Sequence, residues 1–516
     1  MPRAGVLLAI PSLVSSGLLD IAAQVYGNIG PAFYGLRTTL VAYVLLALLR
    51  MPRAEMLKEY APVDLGRIVG LDRVPEVKTL RRKVARLAAG SQALGCALAE
   101  RRVRERGRVM GFLYLDGHVR AYHGKRTLPK AYLTRSRLAV PATTDYWVND
   151  RRGDPVFVVT ADANAAMTRM LEPILTQVRT LIGPQRRVTI VFDRGGWSPT
   201  LFTRLLALGF DLLTYRKGRV RQVAEKRFVW RTARLDARRV RYHLHDKAVR
   251  FLRGTLRLRH VTRLRDGHQT PVLTSRWDLR DIVVASRMFE RWRQENFFKY
   301  MRQEFLLDAL TDYAVAPDDP ARSVPNPARK AVATAVRAAR ARLQTLQATY
   351  GGAALDYVDG RTTTMRAFTA AERQIRREMG DVRAHIATLV ARLKALPVRV
   401  PLAEARAGED PVQLATERKH FTNVLKLVAF QIESDLVELI RPHYARVDEE
   451  GRTLIQTALQ STAAIDPTDH ELRITLAPLS SPHRTRAVAA RCETLNARKA
   501  VFPGTTLQMR FAVADA

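Results

Sequence analysis

The apolar positions of this chain follow different rhythms in successive stretches. Residues 1–107 read as helix throughout, apolar in the first half and basic in the second. From residue 108 the period shortens to that of strands. RVMGFLYLD is a mostly apolar strand, HVRAYHG alternates as a second one, and DYWVND and DPVFVVTAD flank the turn RRGD. The helical period returns where Met167, Met170, Leu171, Ile174, Leu175 and Val178 share one face. RRVTIVFD then reads as a buried strand, SPTLFTRLLALGF as a helix opened by Ser-Pro, and DLLTY as a short strand that closes a region spanning 108–215. Residues 216–284 hold further strand-like pieces, KRFVWRTA, RRVRYHLH and TPVLTSRWDL. A helix is expected again over 285–315.

PDDPARSVPNPA punctuates the pattern as a Pro-rich linker. Beyond it Val332, Val336, Ala339, Leu343, Leu346 and Tyr350 form one heptad seam, and Ile375, Met379, Val382, Ile386, Leu389, Leu393 and Leu396 form another. GGAALDYVDGRTTT lies between them, so 328–400 is expected to fold back as a coiled-coil hairpin. The remaining stretch, 401–516, reads as a helix over 411–441 followed by the paired strands RITLAPL and TLQMRFAV.

Charge changes the picture more than composition does. The 85 Lys and Arg outnumber the 49 Asp and Glu, a formal net charge of +36. That much self-repulsion implies a polyanionic partner, and nucleic acid is the natural one, because phosphate contacts release counterions. The charge is concentrated. Ten Lys/Arg lie between Lys78 and Arg108 against Glu100 and Glu105, and eighteen lie between Arg216 and Arg265 against Glu225, Asp236 and Asp246. The first stretch fits a helical DNA-binding domain or a solvated helix face; the second fits a β-rich surface that tracks a phosphate backbone. A membrane surface is the rival partner, but the most apolar run, Leu40 to Leu49, is too short to span a bilayer. The opening MPRAGVLLAIPSL reads as a buried helix, and no membrane partner is expected. Two cysteines, Cys96 and Cys492, leave no disulfide framework or cysteine zinc site and suit a reducing cytoplasm.

Three acids stand where a metal site could form: Asp116 in RVMGFLYLDGHVRAYHG, Asp193 in RRVTIVFDRGGWSP and Glu295 in FERWRQENFFKYMRQEF. Phosphodiester cleavage needs an activated oxygen nucleophile and a stabilised leaving oxygen. Two divalent ions, Mg²⁺ or substituting Mn²⁺, supply both, with carboxylates as their hard ligands. Asp116 would bridge the ions while Asp193 and Glu295 hold one each. Bland readings stand beside these: Asp116-Gly117 as a hairpin turn, Asp193 as a cap, Glu295 as a solvated helix residue. Arg291, four residues before Glu295, shares its helical face and leaves a guanidinium free for phosphate; Lys299 and Arg302 extend that face, and Glu290 and Glu304 are competing acids. Arg194, Lys217, Arg219 and Arg221 are further candidate phosphate contacts.

The strand–helix order of 108–215, with one acid on its first strand and another closing its fourth, is that of a ribonuclease-H-like core. LYLDGHVRAYHG, VFDRGGWSP and RWRQENFFKYM together resemble the DDE transposases of bacterial insertion sequences, in the group with a β-strand insertion between the second Asp and the Glu. The resemblance implies an α/β ribonuclease-H-like catalytic core with a β-rich insertion, a helical front and a coiled-coil-containing tail. It implies metal-dependent hydrolysis at transposon ends and strand transfer into double-stranded target DNA, by a homodimer in a bacterial, nucleoid-associated cytoplasm. That group carries a Tyr-x2-Arg-x3-Glu-x6-Lys signature; here those positions are Met288, Arg291, Glu295 and Arg302. The missing Tyr puts its phosphate contact in question, together with a hairpin route relying on an insertion aromatic. Trp230 and Trp277 are the aromatics available for that, and burial in a core is the expectation for each.

Two other readings compete. His243 and His245 would share a strand face and, with Tyr300 as nucleophile, mimic a His-x-His tyrosine nuclease using one metal. A DNA-binding or domesticated protein without chemistry is the second. A phosphate-loop NTPase is disfavoured by the lack of a GxxxxGK[ST] pattern.

Overall fold

The computed structural model describes residues 1–514 except 28, 30–33, 52, 134–136, 162–164, 237, 312, 359–364 and 409. It divides into two compact units, one of residues 1–314 with 414–516 and one of residues 315–413.

The first unit is mixed α/β, built on a ten-stranded sheet among the described residues. Its strands are β1 (Phe112–Ala121), β2 (Lys130–Leu133), β3 (Leu138–Asn149), β4 (Pro155–Ala161), β5 (Val188–Phe192), β6 (Phe210–Tyr215), β7 (Val229–Leu235), β8 (Arg238–Phe251), β9 (Leu256–Arg265) and β10 (His268–Thr274). They lie in the order β2-β3-β1-β5-β6-β10-β9-β8-β7, with β4 also paired to β3. The pairs β1–β5 and β5–β6 are parallel. Every residue of β5 is buried, as a central strand covered on both faces requires, which is why VTIVF carries no alternation. Helices Met167–Ile182 and Pro199–Ala207 supply the crossovers on either side of it.

Several expectations shift. The strand expected to stop at Asp116 does not: LYLDGHVRA is one continuous strand, paired with β3 from Tyr114↔Asn149 to Ala121↔Ala142. Gly117 is therefore no turn residue. It faces Tyr146, and an added Cβ would come within 2.9 Å of that ring, so the glycine serves close approach. The strands of the 216–284 insertion join the core sheet. β10 pairs antiparallel with β6, so the insertion extends the same sheet outward. The helix expected over 285–315 begins earlier, at Asp281, pauses at residues 290–291, and resumes as Trp292–Phe305.

Residues 1–107 and 414–516 share a core. The N-terminal ammonium donates to the Ala463 carbonyl at 2.8 Å, and Leu7, Leu8, Leu13 and Leu45 lie in one apolar cluster with Phe421, Leu454 and Phe511. The Glu417–Ile440 helix runs through that cluster, and its buried Asn423, Gln431 and Glu433 find polar partners there in Asp145, the Pro155 carbonyl and Arg50. Strand Glu471–Leu476 pairs with Gln508–Val513 and Ala463–Pro467. Of the basic run from Lys78, Arg102 and Arg106 are drawn inward to Asp435, and Arg101 and Arg104 pair with Glu105 and Glu100. Those four of the ten charges are ion-paired, two of them inside the fold and two on its surface; Lys78, Arg82 and Arg86 stay exposed.

In the second unit, helices Pro327–Val358 and Met365–Ala395 pack together, burying Val332, Val336, Met379 and Val382. The Tyr350 hydroxyl donates to Glu372 at 2.7 Å. The first helix runs through Gly351-Gly352, past the point where a turn was expected; part of that expected turn, 359–364, lies outside the described residues. Among the described residues no single helix is long and apolar enough to cross a membrane. The bent pair Ala4–Ser15 and Leu18–Tyr26 passes by length and composition, yet Ala4 to Leu13 is packed inside the first unit, as a buried helix.

Candidate functional site

β1 and β5 place the first two acids side by side. Their parallel pairing ends at Leu115↔Phe192, so Asp116 and Asp193 are the next residue on each strand. The Asp193 carboxylate accepts from the Gly195 amide at 2.7 Å and caps a short 3₁₀ turn at Arg194–Gly196. Its carbonyl accepts from Thr214 on β6 at 3.2 Å. The capping role proposed from sequence is thus real, and it holds the carboxylate at the strand end rather than competing with a site there.

Asp116 accepts from its neighbour's amide, Gly117, at 2.9 Å and from Arg291 Nη2 at 2.9 Å. Arg291 is therefore not free for phosphate: it is buried, and it clamps the central carboxylate. Burial pushes Asp116 up to about 6; Arg291 pulls it down and Asp193 pushes it further up. A second carboxylate close enough to disfavour ionisation is an arrangement that a divalent cation would relieve.

The helix Trp292–Phe305 crosses these strands and is pinned by Gln294, a residue outside the candidate set read from sequence. Its Nε2 donates to the Tyr114 carbonyl at 3.0 Å, Trp147 carbonyl at 3.4 Å and Asn149 Oδ1 at 3.2 Å, tying the helix start to β1 and β3. The Tyr114 hydroxyl donates to the Arg287 carbonyl and holds the preceding helix as well. A buried Gln directly before Glu295 was the available signal, but nothing in periodicity distinguishes a buried amide from an exposed one.

Glu295 lies exposed in the first turn of that helix, and its amide donates to the Arg291 carbonyl at 3.2 Å. Burial raises the pKa of the Tyr215 hydroxyl at the end of β6; Arg291, Arg263 and Arg194 oppose the rise and Glu295 adds to it. The competing acids are occupied: Glu290 by Arg287 and Arg293, Glu304 by Arg50. Asp116 and Asp193 are brought together; Glu295 is on the neighbouring helix. Among the described residues no group of three His, Cys, Asp or Glu side chains is gathered closely enough to hold a metal ion.

Lys299 is exposed on the Glu295 helix, and Arg194 is exposed beside Asp193 with its guanidinium 5.8 Å from the Tyr215 ring. Arg302 donates to the Phe298 carbonyl and lines a cavity of about 300 Å³ with Gly117, His118 and Asp308. His118, two residues past Asp116 and so on the same sheet face, stacks on Phe298 and meets Asp308 at 2.6 Å. Lys217, Arg219 and Arg221 are exposed between β6 and β7. No described contact links them to the acids.

The insertion aromatics correct an expectation. Trp230 and Trp277 are exposed, 55% and 46%, rather than buried. Trp230 stacks on His243 at 4.7 Å under Arg241, and Trp277 lies by Arg257. Trp230 is on β7, the outermost strand of the sheet, and Trp277 is in the bend after β10, so both rings keep contact with solvent. The tyrosine-nuclease arrangement is not assembled. His243 and His245 flank Phe228 on β8, whereas Tyr300 is tied to Arg50 and Glu433 in the helical core, its hydroxyl pushed up by burial.

Residues 1–515 match the family described as "Transposase protein". The chain belongs to that transposase family. Among solved structures, a piggyBac transposase synaptic complex with hairpin DNA aligns at 10% identity over 86% of this chain and 84% of that one, with a TM-score of 0.33. A pre-cleavage Mos1 transpososome aligns at 9% identity over 31% of this chain and 56% of that one, with a TM-score of 0.15. No curated protein matches the sequence.

Proposed function

We propose that this member of the transposase family is a DDE-type DNA transposase in which Asp116, Asp193 and Glu295 serve a ribonuclease-H-like core. The observation that carries the reading is the pair of carboxylates at the ends of the parallel β1–β5 register, overlaid by a helix that presents Glu295 and clamps Asp116 through Arg291.

The donor set suits Mg²⁺ or Mn²⁺: hard carboxylate oxygens, two of them mutually repelling in a poorly solvated position. Asp116 and Asp193 would hold the first ion. Glu295, exposed on the neighbouring helix, would complete the set. Such ions supply charge for both the attacking and the leaving oxygen of the phosphodiester.

The protein's own residues do the rest. Arg291 orients Asp116 and blocks its second oxygen from wandering. Lys299, Arg302 and Arg194 surround the acids with cationic groups that position the DNA backbone. Further out, the exposed Arg234, Arg239, Lys247 and Arg250 on β7 and β8 extend a phosphate-tracking surface along the insertion, with Lys217, Arg219 and Arg221 beside it. Double-stranded DNA, as terminal repeats and target, is the partner of this reading, and a homodimer on DNA would bring two ends together.

The test of the third acid is Glu295→Gln against wild type in supercoiled-plasmid nicking with Mg²⁺ or Mn²⁺. The expected result is a loss of roughly 100-fold or more with DNA affinity unchanged or raised, since a ligand is removed and the basic surface is kept. Unchanged nicking by Glu295→Gln would remove Glu295 from the site. A protein that binds DNA, supplied with its true ends, and never cleaves would favour the binding-protein reading, which the ion-paired state of Asp116 also suits.

A further inference from the structure

At the far end of β1 a cavity of about 10 Å³, room for one water-sized particle, lies between the sheet and the start of the Glu417–Ile440 helix. Arg120 and Thr143 face each other across β1 and β3, and both line it. Arg120 is 1% exposed. One of its nitrogens donates to Asp145 at 2.8 Å, while its Nε and Nη1 have no partner among the described residues. The Thr143 hydroxyl, also buried, has none either. Lys419 lines the same cavity, and Thr416, the first residue before the helix, makes no side-chain cap to the helix amides.

The charges do not balance. Arg120, Lys419 and Lys426 are buried around one carboxylate, Asp145, which Asn423 also holds at 2.9 Å. Glu417, in the first turn of the helix, is exposed. Guanidinium N–H groups left dry and unpartnered are costly, so a group that accepts from them and carries negative charge is strongly favoured there.

We infer that this cavity is a binding site for one small monovalent anion of the halide class, held by Arg120 Nε and Nη1, the Thr143 hydroxyl, the Lys419 ammonium and the amides opening the Glu417–Ile440 helix. Its size excludes phosphate and sulfate. The helix is 24 residues long, so its N-terminal amides add a positive dipole end to the side-chain donors. Burial and the neighbouring Lys426 and Arg120 drive the Lys419 pKa down, and an anion would reverse that pressure. The consequence reaches outward. Lys419 donates to the carbonyls of Leu307 and Ala309, just past the Glu295 helix, and Arg120 lies four residues along β1 from Asp116. An ion here would fasten that helix's end to the strand. The inference rests on the cavity alone and stands whether or not the three acids cleave DNA.

The test is thermal unfolding of the full chain in chloride, bromide, sulfate and gluconate at one ionic strength, for wild type, Thr143→Val and Lys419→Met. Chloride and bromide are expected to raise the wild-type midpoint by about 2 °C or more over gluconate. Sulfate should give no such specific rise. The halide advantage should fall by at least half in Thr143→Val, and ³⁵Cl line broadening by the wild-type protein should fall with it. Equal midpoints in all four salts, or a halide effect undiminished in Thr143→Val with the same line broadening, would overturn the site and leave the cavity to water. If Lys419→Met does not fold, Thr143→Val and the ³⁵Cl signal decide the question alone.

Discussion

Asp116→Asn is expected to abolish metal-dependent nicking, by roughly 1,000-fold or more, and at the same time to stabilise the protein in EDTA at neutral pH. Both effects have one cause. The carboxyl is pushed up to about 6 from 3.8 by burial, and Asp193 adds to that push, so in the folded chain the charged form is disfavoured. The native state therefore binds more protons than the unfolded chain between about pH 4 and 6, and stability falls as pH rises through that window. At pH 7 the cost is fully present, on the order of 1–3 kcal/mol, with the upper figure reduced because a fifth of the side chain meets solvent. Asn carries no charge and removes it. Asp193→Asn should lose nicking to the same degree, and it should also lower the Asp116 pKa by removing the repelling partner. Denaturation of the variants in EDTA from pH 4 to 8, beside plasmid nicking, checks both arms. Nicking retained by either variant would break the proposed pair. A destabilised Asp116→Asn would mean that the Arg291 ion pair outweighs the burial cost.

The largest stability effect is expected at Asp145, an acid that takes no part in the proposed chemistry. Asp145 and Arg120 form an ion pair with both side chains fully buried, and Arg120, Lys419 and Asn423 lower the carboxylate's pKa despite its burial. Asp145→Ala leaves the buried Arg120 guanidinium without its carboxylate, beside Lys419 and Lys426 whose charged forms burial already disfavours. It should cost about 3–5 kcal/mol in chemical denaturation. Pairing it with Arg120→Met should recover a large part of that loss, because the uncompensated charge is removed from both sides. A single variant within 1 kcal/mol of wild type, on the order of an exposed pair, would show the cluster to be hydrated and relaxed.

The site was legible in part, and the reason lies in what strand periodicity encodes. VFD and LYLD end or cross apolar runs, so an acid at either position stands out against its surroundings. Glu295 stands out less: an exposed acid on an amphipathic helix looks the same whether it faces water or DNA, and its place was read from resemblance and spacing. Arg291 was read as a free phosphate contact because i, i+4 spacing on a helix says which face a residue shares and nothing about what that face meets. The structure turns it onto Asp116. A core is the expectation for Trp230 and Trp277 because large aromatics usually lie there, but Trp230 is on the edge strand β7 and Trp277 is in the bend after β10, and both stay exposed. The continuous β1 was divided at Asp116-Gly117 because Asp-Gly is a turn signal; pairing with β3 on one side and Tyr146 against Gly117 overrode it.

Sequence alone determined the strongly basic surface, the strand–helix order of 108–215, the helix pair of the second unit and the three candidate acids, because charge and hydrophobic period are local properties of the chain. Tertiary structure decided everything that depends on partners distant in sequence. It joined residues 1–107 to the C-terminal stretch in one core, extended the sheet through the insertion by the β6–β10 pairing, and spent the charges of Arg102, Arg106, Arg120 and Arg291 inside the fold. A basic residue reads the same in sequence whether it faces phosphate or a buried carboxylate; only the packing of distant segments, where desolvation makes an unpaired charge too costly to keep, separates the two.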